Sequence, residues 1–460
     1  MNTSYKVKFW DIRTNTRNDG KSKKPRVISH TVRWTVGNRE RSSTFKTKGL
    51  AESFLSELRQ AAKNGEAFDE DSGLPVSMVK AKDLRTWYSF AVAYVHAWWP
   101  HAAPKSREGM TDTLANITPI LSTDAPGRPE DEVIRKALRE YAFLPPDRRP
   151  VPSPEIAKAI RWIEAASLPL SALNEARHTR AVLEALSLRM DGKPAATSTY
   201  RRKRAVFHHV LEYAVELEEL SANPLHKVKL RKIKSTGEID RRSVVNPGQA
   251  RELLAAVTYV GRSRGQMMMA MFACMYFGGL RPGEASALRK KDCHLPEKGW
   301  GLLTLEKTSP ETNSRYTDSG ESHDERGLKH REQKATRPVP IPPELVKILR
   351  QHIKDQGVGE DGRLFRTSTG KPFPGSTVSK VWREARTYAF TPDQVTSPLA
   401  GRPYDLRHAA VSLWLNAGVH APEAAERAGH GVDVLLRVYA KCIDGQRAVA
   451  NQRILDALAA

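Results

Sequence analysis

The last sixty residues of the chain contain a set of side chains that could transfer a phosphoryl group. Tyr404, Arg407 and His408 stand on one short run, His430 follows a glycine, and Tyr439 comes nine positions after His430. A phosphodiester under attack gathers negative charge on its non-bridging oxygens, so cations and hydrogen-bond donors stabilise the transition state. A cationic side chain, a histidine and a late tyrosine are therefore the groups needed for phosphoryl transfer through a tyrosine nucleophile.

A second arginine, Arg281, lies far upstream in the motif GGLRPGEASALRKKD and leads a predicted helix with Pro282 in its first turn. Arginine stays charged, and its planar guanidinium can hold two phosphate oxygens at once. Arg281 and Arg407 could therefore clamp a phosphate, and His430 could donate a further hydrogen bond. Taken singly, each arginine could be a surface cation, His430 could simply pack, and Tyr439 could be a core residue. Only their joint occurrence favours a catalytic role.

The charge of the whole chain favours a polyanionic partner. Its 460 residues include 74 Lys and Arg against 52 Asp and Glu, which gives a net charge of +22 at pH 7. Nucleic acid is the commonest partner of so basic a protein, and a basic but unspecific surface is the alternative. The first fifty residues hold 13 Lys and Arg against 3 Asp and Glu, so nearly half of the net charge lies there.

Composition argues against several other classes of protein. Hydrophobic residues make up 40% and charged residues 27% of the chain, as in soluble globular proteins. The three cysteines, Cys274, Cys293 and Cys442, are odd in number and widely spaced, so neither a disulfide framework nor a zinc site is indicated. The longest apolar stretch, residues 267–279, is too short to span a membrane, and the start has no apolar signal region. We therefore expect a cytoplasmic protein.

The hydrophobic pattern predicts a mainly α protein with small β-sheets, divided into three parts. The phosphoryl-transfer residues all belong to the third part. The parts are a basic β-β-β-α module at residues 1–65, a helical domain at 83–230, and a mixed, mostly α domain at 244–460.

Several local elements can be predicted within these parts. In the first part, runs rich in β-branched and aromatic residues predict strands at 5–13, 26–36 and 40–47, with polar turns between them. In the third part, a strand predicted at 300–306 precedes a segment rich in Ser, Thr, Gly and acidic residues. We expect that segment, residues 307–326, to be a mobile insertion.

Two groups of cations in and after the helical domain could contact phosphates. The helix predicted at 198–220 carries four cations in its first turns, where the helix dipole disfavours them unless phosphates neutralise them. The basic connector that follows, residues 221–238, could lie along a phosphate backbone. The predicted phosphate contacts are Arg201, Arg202, Lys203, Arg204, Lys227, Lys229, Arg231, Lys232 and Lys234.

The chemical motifs together resemble those of the tyrosine recombinases, also called phage-type integrases. The matching motifs are Arg281 in GGLRPGEASALRKKD, Arg407 in YDLRHAA, His430 in AGH and Tyr439 nine positions later. No one of them is specific alone, but four in this order and spacing are hard to obtain by chance. The third part carries the resemblance strongly, the second resembles a core-binding domain more loosely, and the first is similar to an arm-binding domain.

This resemblance implies a site-specific recombinase that cleaves and rejoins double-stranded DNA at attachment sites, to integrate or excise a mobile element. The tyrosine would form a 3′-phosphotyrosyl link and free a 5′-hydroxyl, so neither a cofactor nor a metal is implied. The family also implies a homotetramer on DNA, with accessory DNA-bending or directionality proteins. A lysine on a β-hairpin would protonate the leaving 5′-oxygen; we favour Lys329 in GLKHRE, and Lys334 is the alternative.

The sequence departs from the family pattern at one position, three residues before the second arginine. The family usually has a histidine there, and this chain has Tyr404. A phenol, with an unperturbed pKa of about 10, is a poorer base than imidazole at neutral pH. We expect Tyr404 to position the phosphate beside Arg407, which leaves open the group that accepts the Tyr439 proton. His408 occupies a position that usually only packs in the family.

Two other functions fit part of the sequence. The segment LNAGVHAPEAAERAGH resembles a helix-turn-helix, so a non-catalytic DNA-binding regulator is one alternative. Such a regulator would have no use for Tyr439. A type IB topoisomerase-like relaxase would share the chemistry, but the basic first part and the tail after Tyr439 favour a recombinase.

Overall fold

The structure is a computed structural model that describes residues 2–17, 26–79, 85–228, 239–261, 263–328, 335–439 and 446–459. The chain divides into two compact units, Met1–Arg231 and Lys232–Ala460. Helices dominate both units and the sheets are small, which confirms the predicted fold class. Six predicted site residues fall outside the described residues: Lys229, Arg231, Lys232, Lys234, Lys329 and Lys334.

The first unit begins with a four-stranded antiparallel sheet. Its long strand, Arg26–Val36, pairs with the three others, which are Val7–Phe9, Arg13–Arg17 and Arg39–Phe45. Alternate residues of the long strand, among them Val32, Trp34 and Val36, are buried together with Leu55 and Leu58 of the helix Lys48–Lys63. A separate two-stranded pair, Thr3–Ser4 with Phe68–Asp69, adds Phe68 to the same core.

The strand Arg13–Arg17 shows that one prediction was wrong, because the sequence predicted a polar turn from Thr14 onward. Its polar side chains bond across to the neighbouring strand instead of to solvent. The Asn15 amide donates to the hydroxyls of Ser29 and Thr31 at 3.0 and 2.8 Å, and the Thr14 hydroxyl lies 3.3 Å from His30 Nδ1. Cross-strand hydrogen bonds of this kind stabilise a strand that no hydrophobic alternation reveals.

The rest of the first unit is helical, as the sequence predicted. Its core combines aromatic residues of the first and last of these helices, with the Trp87 and Phe207 ring centroids 6.0 Å apart. The predicted basic helix begins one residue earlier and ends four residues sooner than expected. The helices are Trp87–Trp98, Pro104–Ile117, Asp131–Ala137, Pro154–Ala166, Ala176–Ser187 and Thr197–Glu216.

The second unit is built around the helix Arg264–Phe277, most of whose residues are buried. This burial on all sides agrees with its almost continuous apolar sequence. In the described part of the chain, none of the helices combines the length and apolar character needed to cross a membrane. The other helices are Pro247–Thr258, Pro282–Ala287, Pro343–Gln356, Gly375–Ala389, Pro392–Thr396, Asp405–Asn416, Ala421–Ala428, Val432–Tyr439 and Gln446–Ala459.

A three-stranded antiparallel sheet flanks these helices, in the order Arg337–Ile341, Gly301–Leu305, Cys293–His294. Successive side chains of a strand point to opposite faces, so residues 337, 339 and 341 share one face. All three are buried, which places the Arg337 guanidinium inside the protein.

The segment after the central strand has a defined structure, where we expected a mobile insertion. Lys307–Thr308 pairs with Arg326–Gly327, and the backbone N–H of Thr312 donates to Ser322 O at 2.8 Å. The Tyr316 ring is only 3% exposed. A buried aromatic ring and these backbone bonds anchor a segment whose composition is that of a loop.

Candidate active site

Four segments of the second unit bring the predicted chemical residues together. Each of these residues lies at or beside a helix end, where a helix fixes the backbone position of the side chain. Arg281 precedes Pro282–Ala287, Arg407 lies in the first turn of Asp405–Asn416, His430 follows Ala421–Ala428, and Tyr439 ends Val432–Tyr439.

Gly429 turns the chain between the helix Ala421–Ala428 and His430. It has the left-handed conformation, with φ of 63°, that glycine adopts without steric cost. A Cβ at this position would lie 2.0 Å from Arg337 Nη1, so a side chain here would have to displace that guanidinium. The Gly429 carbonyl accepts a hydrogen bond from Arg281 Nη2 at 2.6 Å. This turn therefore couples the position of His430 to the position of Arg281.

A buried carboxylate, Glu284, holds two of the arginines. Its Oε1 accepts from Arg281 Nη1 at 2.7 Å, and its Oε2 accepts from Arg337 Nη2 at 2.7 Å. Arg337 and Arg407 are joined in turn by one carbonyl, that of Ala428, which accepts from both at 3.1 and 2.5 Å. The three guanidiniums therefore form one hydrogen-bonded cluster, which we call the arginine cluster: Arg281, Arg337 and Arg407 with Glu284.

The arginine cluster carries a net positive charge. Burial by itself raises the pKa of Glu284, but the positive charges of the three arginines outweigh it and hold that pKa below its ordinary value. Burial also lowers the pKa of Arg337 and Arg407, yet arginine's ordinary pKa is so high that both remain charged. Three cations against one carboxylate leave an electrostatic environment that suits a phosphate.

His430 is held as a neutral hydrogen-bond donor. Its Nε2 lies 2.8 Å from Arg407 Nη2, and because arginine only donates, Nε2 accepts and the ring proton is on Nδ1. Burial, followed by the charge of Arg407, lowers the pKa of His430 to about 3. Nδ1 is buried and has no partner among the described residues. This N–H is therefore available for the predicted hydrogen bond to a phosphate oxygen.

Tyr439 lies beside these groups with its side chain fully buried. Its ring packs among Val411, Leu415 and Leu435, and its centroid is 6.2 Å from that of His430. Its hydroxyl oxygen is 3.0 Å from His408 Nδ1. The predicted nucleophile and the predicted phosphate ligands thus occur together in one unit.

Tyr404 also joins this group, through a contact that the sequence did not predict. Its ring packs edge-on against His408, with centroids 5.0 Å apart and planes at 69°. The expected hydrogen bond from Tyr404 to a phosphate beside Arg407 stays a prediction.

The described cations of the helical domain differ in how available they are for phosphates. Arg201, Arg202 and Lys227 are exposed, whereas Arg204 is half-buried. Lys203 is largely buried and pairs with Asp112 at 3.5 Å, so much of its charge is already neutralised.

Sequence reasoning missed three residues at or next to the site. Glu284 and Arg337 belong to the arginine cluster, and the strand alternation of RPVPI could have placed Arg337 on the buried face. Lys307 is the third. It lines a cavity of about 120 Å³ together with Glu284. Ser309, which directly follows the strand Lys307–Thr308, donates its backbone N–H to Gly283 O at 2.8 Å. Lys307 is therefore a described lysine close to the Arg281 helix.

One group of described residues could hold a metal ion, and it lies in the first unit. The ligand atoms of His208, Glu212 and His226 all lie within 4.8 Å of one another. The Glu212 carboxylate already accepts a hydrogen bond from the Asn223 amide at 2.6 Å. The arginine cluster, with one carboxylate and three cations, offers a metal no comparable set of ligands.

Comparison with known proteins gives one sequence match and several structural ones. No family model matches the chain. A curated protein named Integrase, from Streptomyces ambofaciens, is 33% identical over 130 residues, which cover 26% of this chain. The match spans 32% of the length of that relative. The resemblance to integrases that the motifs predict is thus confirmed at the level of sequence.

Three solved structures to which the chain is similar are far from it in sequence. The Tn1549 transposon integrase in complex with transposon right end DNA is 16% identical, with a TM-score of 0.45 over 72% of this chain and 99% of that one. The XerH site-specific recombinase bound to a difH substrate is 14% identical, with a TM-score of 0.44 over 75% and 97%. A lambda integrase dimer bound to a core site is 13% identical, with a TM-score of 0.46 over 91% of each chain.

Proposed function

We propose that the chain is a tyrosine recombinase that cleaves and rejoins DNA at specific sites through a 3′-phosphotyrosyl intermediate, to integrate or excise a mobile element. The observation that supports this most is the position of Tyr439, which lies in one unit with Arg281, Arg407 and His430. A cluster of three cations, two of them buried, beside a tyrosine fits phosphoryl transfer and has no evident use in a purely structural core.

In this proposal the arginine cluster binds the scissile phosphate and stabilises the charge that develops on it. Arg281, whose side chain is 21% exposed, makes the first contact. Arg407 lies deeper, with its Nε free of partners among the described residues, and His430 Nδ1–H adds an uncharged donor. The oxygen of Tyr439 attacks phosphorus while the 5′-oxygen leaves with a proton. The phosphodiester energy is kept in the new link, so no energy source is required.

The proposal extends to the partners and to the three parts of the chain. Residues 1–65 would bind an arm-type DNA site, residues 83–230 the core site, and residues 244–460 would carry out the reaction on double-stranded attachment sites. The helix Gln446–Ala459 supports assembly into a homotetramer, because Ile454, Leu455 and Leu458 are exposed on it. Accessory DNA-bending or directionality proteins would act on the same complex.

A plasmid assay separates this function from its alternatives. Two copies of a DNA segment that flanks the gene of this chain are placed in one supercoiled plasmid, and a plasmid without them is the control. A recombinase exchanges strands only between the two segments. A topoisomerase-like relaxase would relax both plasmids alike, and a regulator would bind the segments and change neither.

The general acid is predicted to be a lysine, and we propose Lys307 as a candidate beside Lys329 and Lys334. We favour Lys307, because the residue after its strand, Ser309, donates its backbone N–H to Gly283 O in the helix that follows Arg281. Lys307→Ala should slow cleavage by roughly 10²–10⁴-fold, as expected for loss of a positioned proton donor. A 5′-bridging phosphorothiolate, whose leaving group needs no proton, should restore that rate. The alanine variants of the other two lysines are the matched controls, and selective rescue of either one would contradict the assignment to Lys307.

Tyr404 is predicted to hold the phosphate and not to move a proton. Tyr404→Phe then removes one hydrogen bond, which contributes about 0.5–1.5 kcal/mol, or up to ~3 if its partner is charged. The single-turnover cleavage rate should fall roughly three- to 150-fold, at about tenfold for each 1.4 kcal/mol. Tyr404→His should keep activity, since the family uses histidine there. Inactivity of Tyr404→Phe equal to that of Tyr439→Phe would show instead that Tyr404 takes part in proton transfer.

A further inference from the structure

The group that accepts the proton of the nucleophile is not supplied by the family pattern, because Tyr404 stands where a histidine is usual. In the structure another histidine is in contact with the hydroxyl. His408 Nδ1 lies 3.0 Å from the Tyr439 oxygen, which is hydrogen-bonding distance, and the two ring centroids are 5.8 Å apart. His408 is on the helix Asp405–Asn416 directly after Arg407, so it is fixed to the backbone that also positions the phosphate ligand.

We propose that His408 is the general base of the cleavage step and takes the Tyr439 proton on Nδ1. This inference rests on the proposed function. The ring proton of His408 is then on Nε2, and the lone pair of Nδ1 points at the hydroxyl. Proton acceptance requires such direct contact, at about 2.6–3.2 Å between heavy atoms.

The other side chains around the hydroxyl are less suited to this role. His430 has no lone pair to offer, because its Nε2 accepts from Arg407 and its Nδ1 carries the proton. Tyr404 packs edge-on against the His408 ring and so limits its rotation. The packing of Tyr404 and the contact with Tyr439 together hold His408 between the two phenols.

The surroundings of His408 keep the imidazole neutral before the reaction. Burial, helped by the charges of Arg402 and Arg407 and partly offset by the nearby carboxylate of Asp405, lowers its pKa to about 4. A neutral imidazole can accept a proton at pH 7. A bound phosphate would offset part of the arginine charge and strengthen the base at the moment of reaction. The titratable and charged groups that face His408 are Arg402, Tyr404, Asp405, Arg407, His430 and Tyr439.

The proton and bond changes balance in one displacement. The O–H bond of Tyr439 breaks and its proton goes to His408 Nδ1, while the oxygen forms a bond to phosphorus. The bond from phosphorus to the 5′-oxygen breaks, and that oxygen keeps the electron pair and takes a proton from the general acid. In the rejoining step the direction reverses, and His408 returns its proton to the departing Tyr439 oxygen.

The test uses His408→Asn and His408→Ala in the full-length chain. Asparagine can place its amide oxygen near the position of Nδ1 and keep a hydrogen bond to Tyr439, but it is no base. The control is His294→Asn, an exposed histidine at the end of the strand Cys293–His294. The readout is the single-turnover rate of adduct formation between pH 6 and 9, on nicked duplexes that tile the DNA flanking the gene.

Both His408 variants should form adduct about 10²–10⁴-fold more slowly than wild type at pH 7, the range of a lost general base. The wild-type rate should be nearly flat from pH 6 to 8, because the base is already neutral there. In the variants hydroxide must remove the proton, so their rates should rise by about tenfold per pH unit. Added imidazole should restore part of the rate of His408→Ala.

Three outcomes would overturn the inference or its basis. His408→Asn within threefold of wild type at every pH would show that His408 is not the base. An equal loss at every pH, with no rescue by imidazole, would show that His408 only supports the structure. A wild-type chain that forms no adduct, or a Tyr439→Phe variant that forms one, would overturn the proposed function itself and this inference with it.

Discussion

Replacing Tyr439 by phenylalanine should abolish covalent cleavage of DNA and leave DNA binding unchanged. The hydroxyl oxygen is the proposed nucleophile, and removal of a nucleophile that acts with its base as a unit typically costs roughly 10⁴-fold or more. The folded state should survive, because the substitution removes a hydrogen bond to His408 that contributes only about 0.5–1.5 kcal/mol. Gel-shift binding and single-turnover adduct formation on the same nicked duplexes measure the two properties separately.

The chain offers a matched control for this substitution. Tyr276 is another buried tyrosine of the second unit, and its hydroxyl has no partner among the described residues. Tyr276→Phe should therefore bind and cleave like wild type. A covalent adduct formed by Tyr439→Phe would reject Tyr439 as the nucleophile, and loss of cleavage in both variants would point to a general effect of removing a buried phenol.

The largest expected effect on stability is that of Glu284→Gln. This change leaves the arginine cluster without its carboxylate, and breaking a buried ion pair such as that of Arg337 with Glu284 from one side costs about 3–5 kcal/mol. At roughly 2–4 °C per kcal/mol for a domain of this size, the melting temperature should fall by roughly 6–20 °C. Glu344→Gln is the control, since its pair with Arg251 is exposed and should contribute at most about 1 kcal/mol.

A second variant and the pH dependence of stability show whether lost charge pairing or altered packing destabilises Glu284→Gln. In the Glu284→Gln background, Arg337→Met removes one of the unpaired buried charges and should recover part of the lost stability. The folded-state pKa of Glu284 lies below its ordinary value of 4.5, so its contribution is present above pH 4.5 and is lost as the pH falls through the folded-state pKa. The difference in the free energy of unfolding between wild type and Glu284→Gln should therefore become smaller in acid. If this difference in the free energy of unfolding stays constant with pH, the charge of Glu284 is not what stabilises the cluster.

The helical framework could be predicted from the sequence because it depends on local periodicity. The helix predicted at 198–220 is found at Thr197–Glu216, which differs from its prediction only at the ends. The strand Arg13–Arg17 could not be found in this way, since polar cross-strand bonds stabilise it. The ordering of residues 307–326 depends likewise on the burial of Tyr316, which composition does not reveal.

The candidate site likewise combines residues that the sequence predicts with contacts that it does not predict. Arg281, Arg407, His430 and Tyr439 could be found because each stands in a short motif at a fixed spacing. The contacts between them could not, because they depend on how separate helices pack, whether they span 23 positions, as from Arg407 to His430, or 148, as from Arg281 to Gly429 O. The same holds for His408, whose contact with Tyr439 spans 31 positions and follows only from the packing of two helices.

The most direct test of the central claim is to identify the residue that becomes attached to DNA. Wild-type chain is incubated with the nicked duplexes, the covalent species is isolated on a denaturing gel, and nuclease and protease digestion yields a peptide for mass spectrometry. We expect a nucleotide linked through a 3′-phosphate to Tyr439, with a 5′-hydroxyl on the released strand. Attachment to Tyr404 or to any other residue, or a 5′-phosphate link, would contradict the mechanism proposed for this chain.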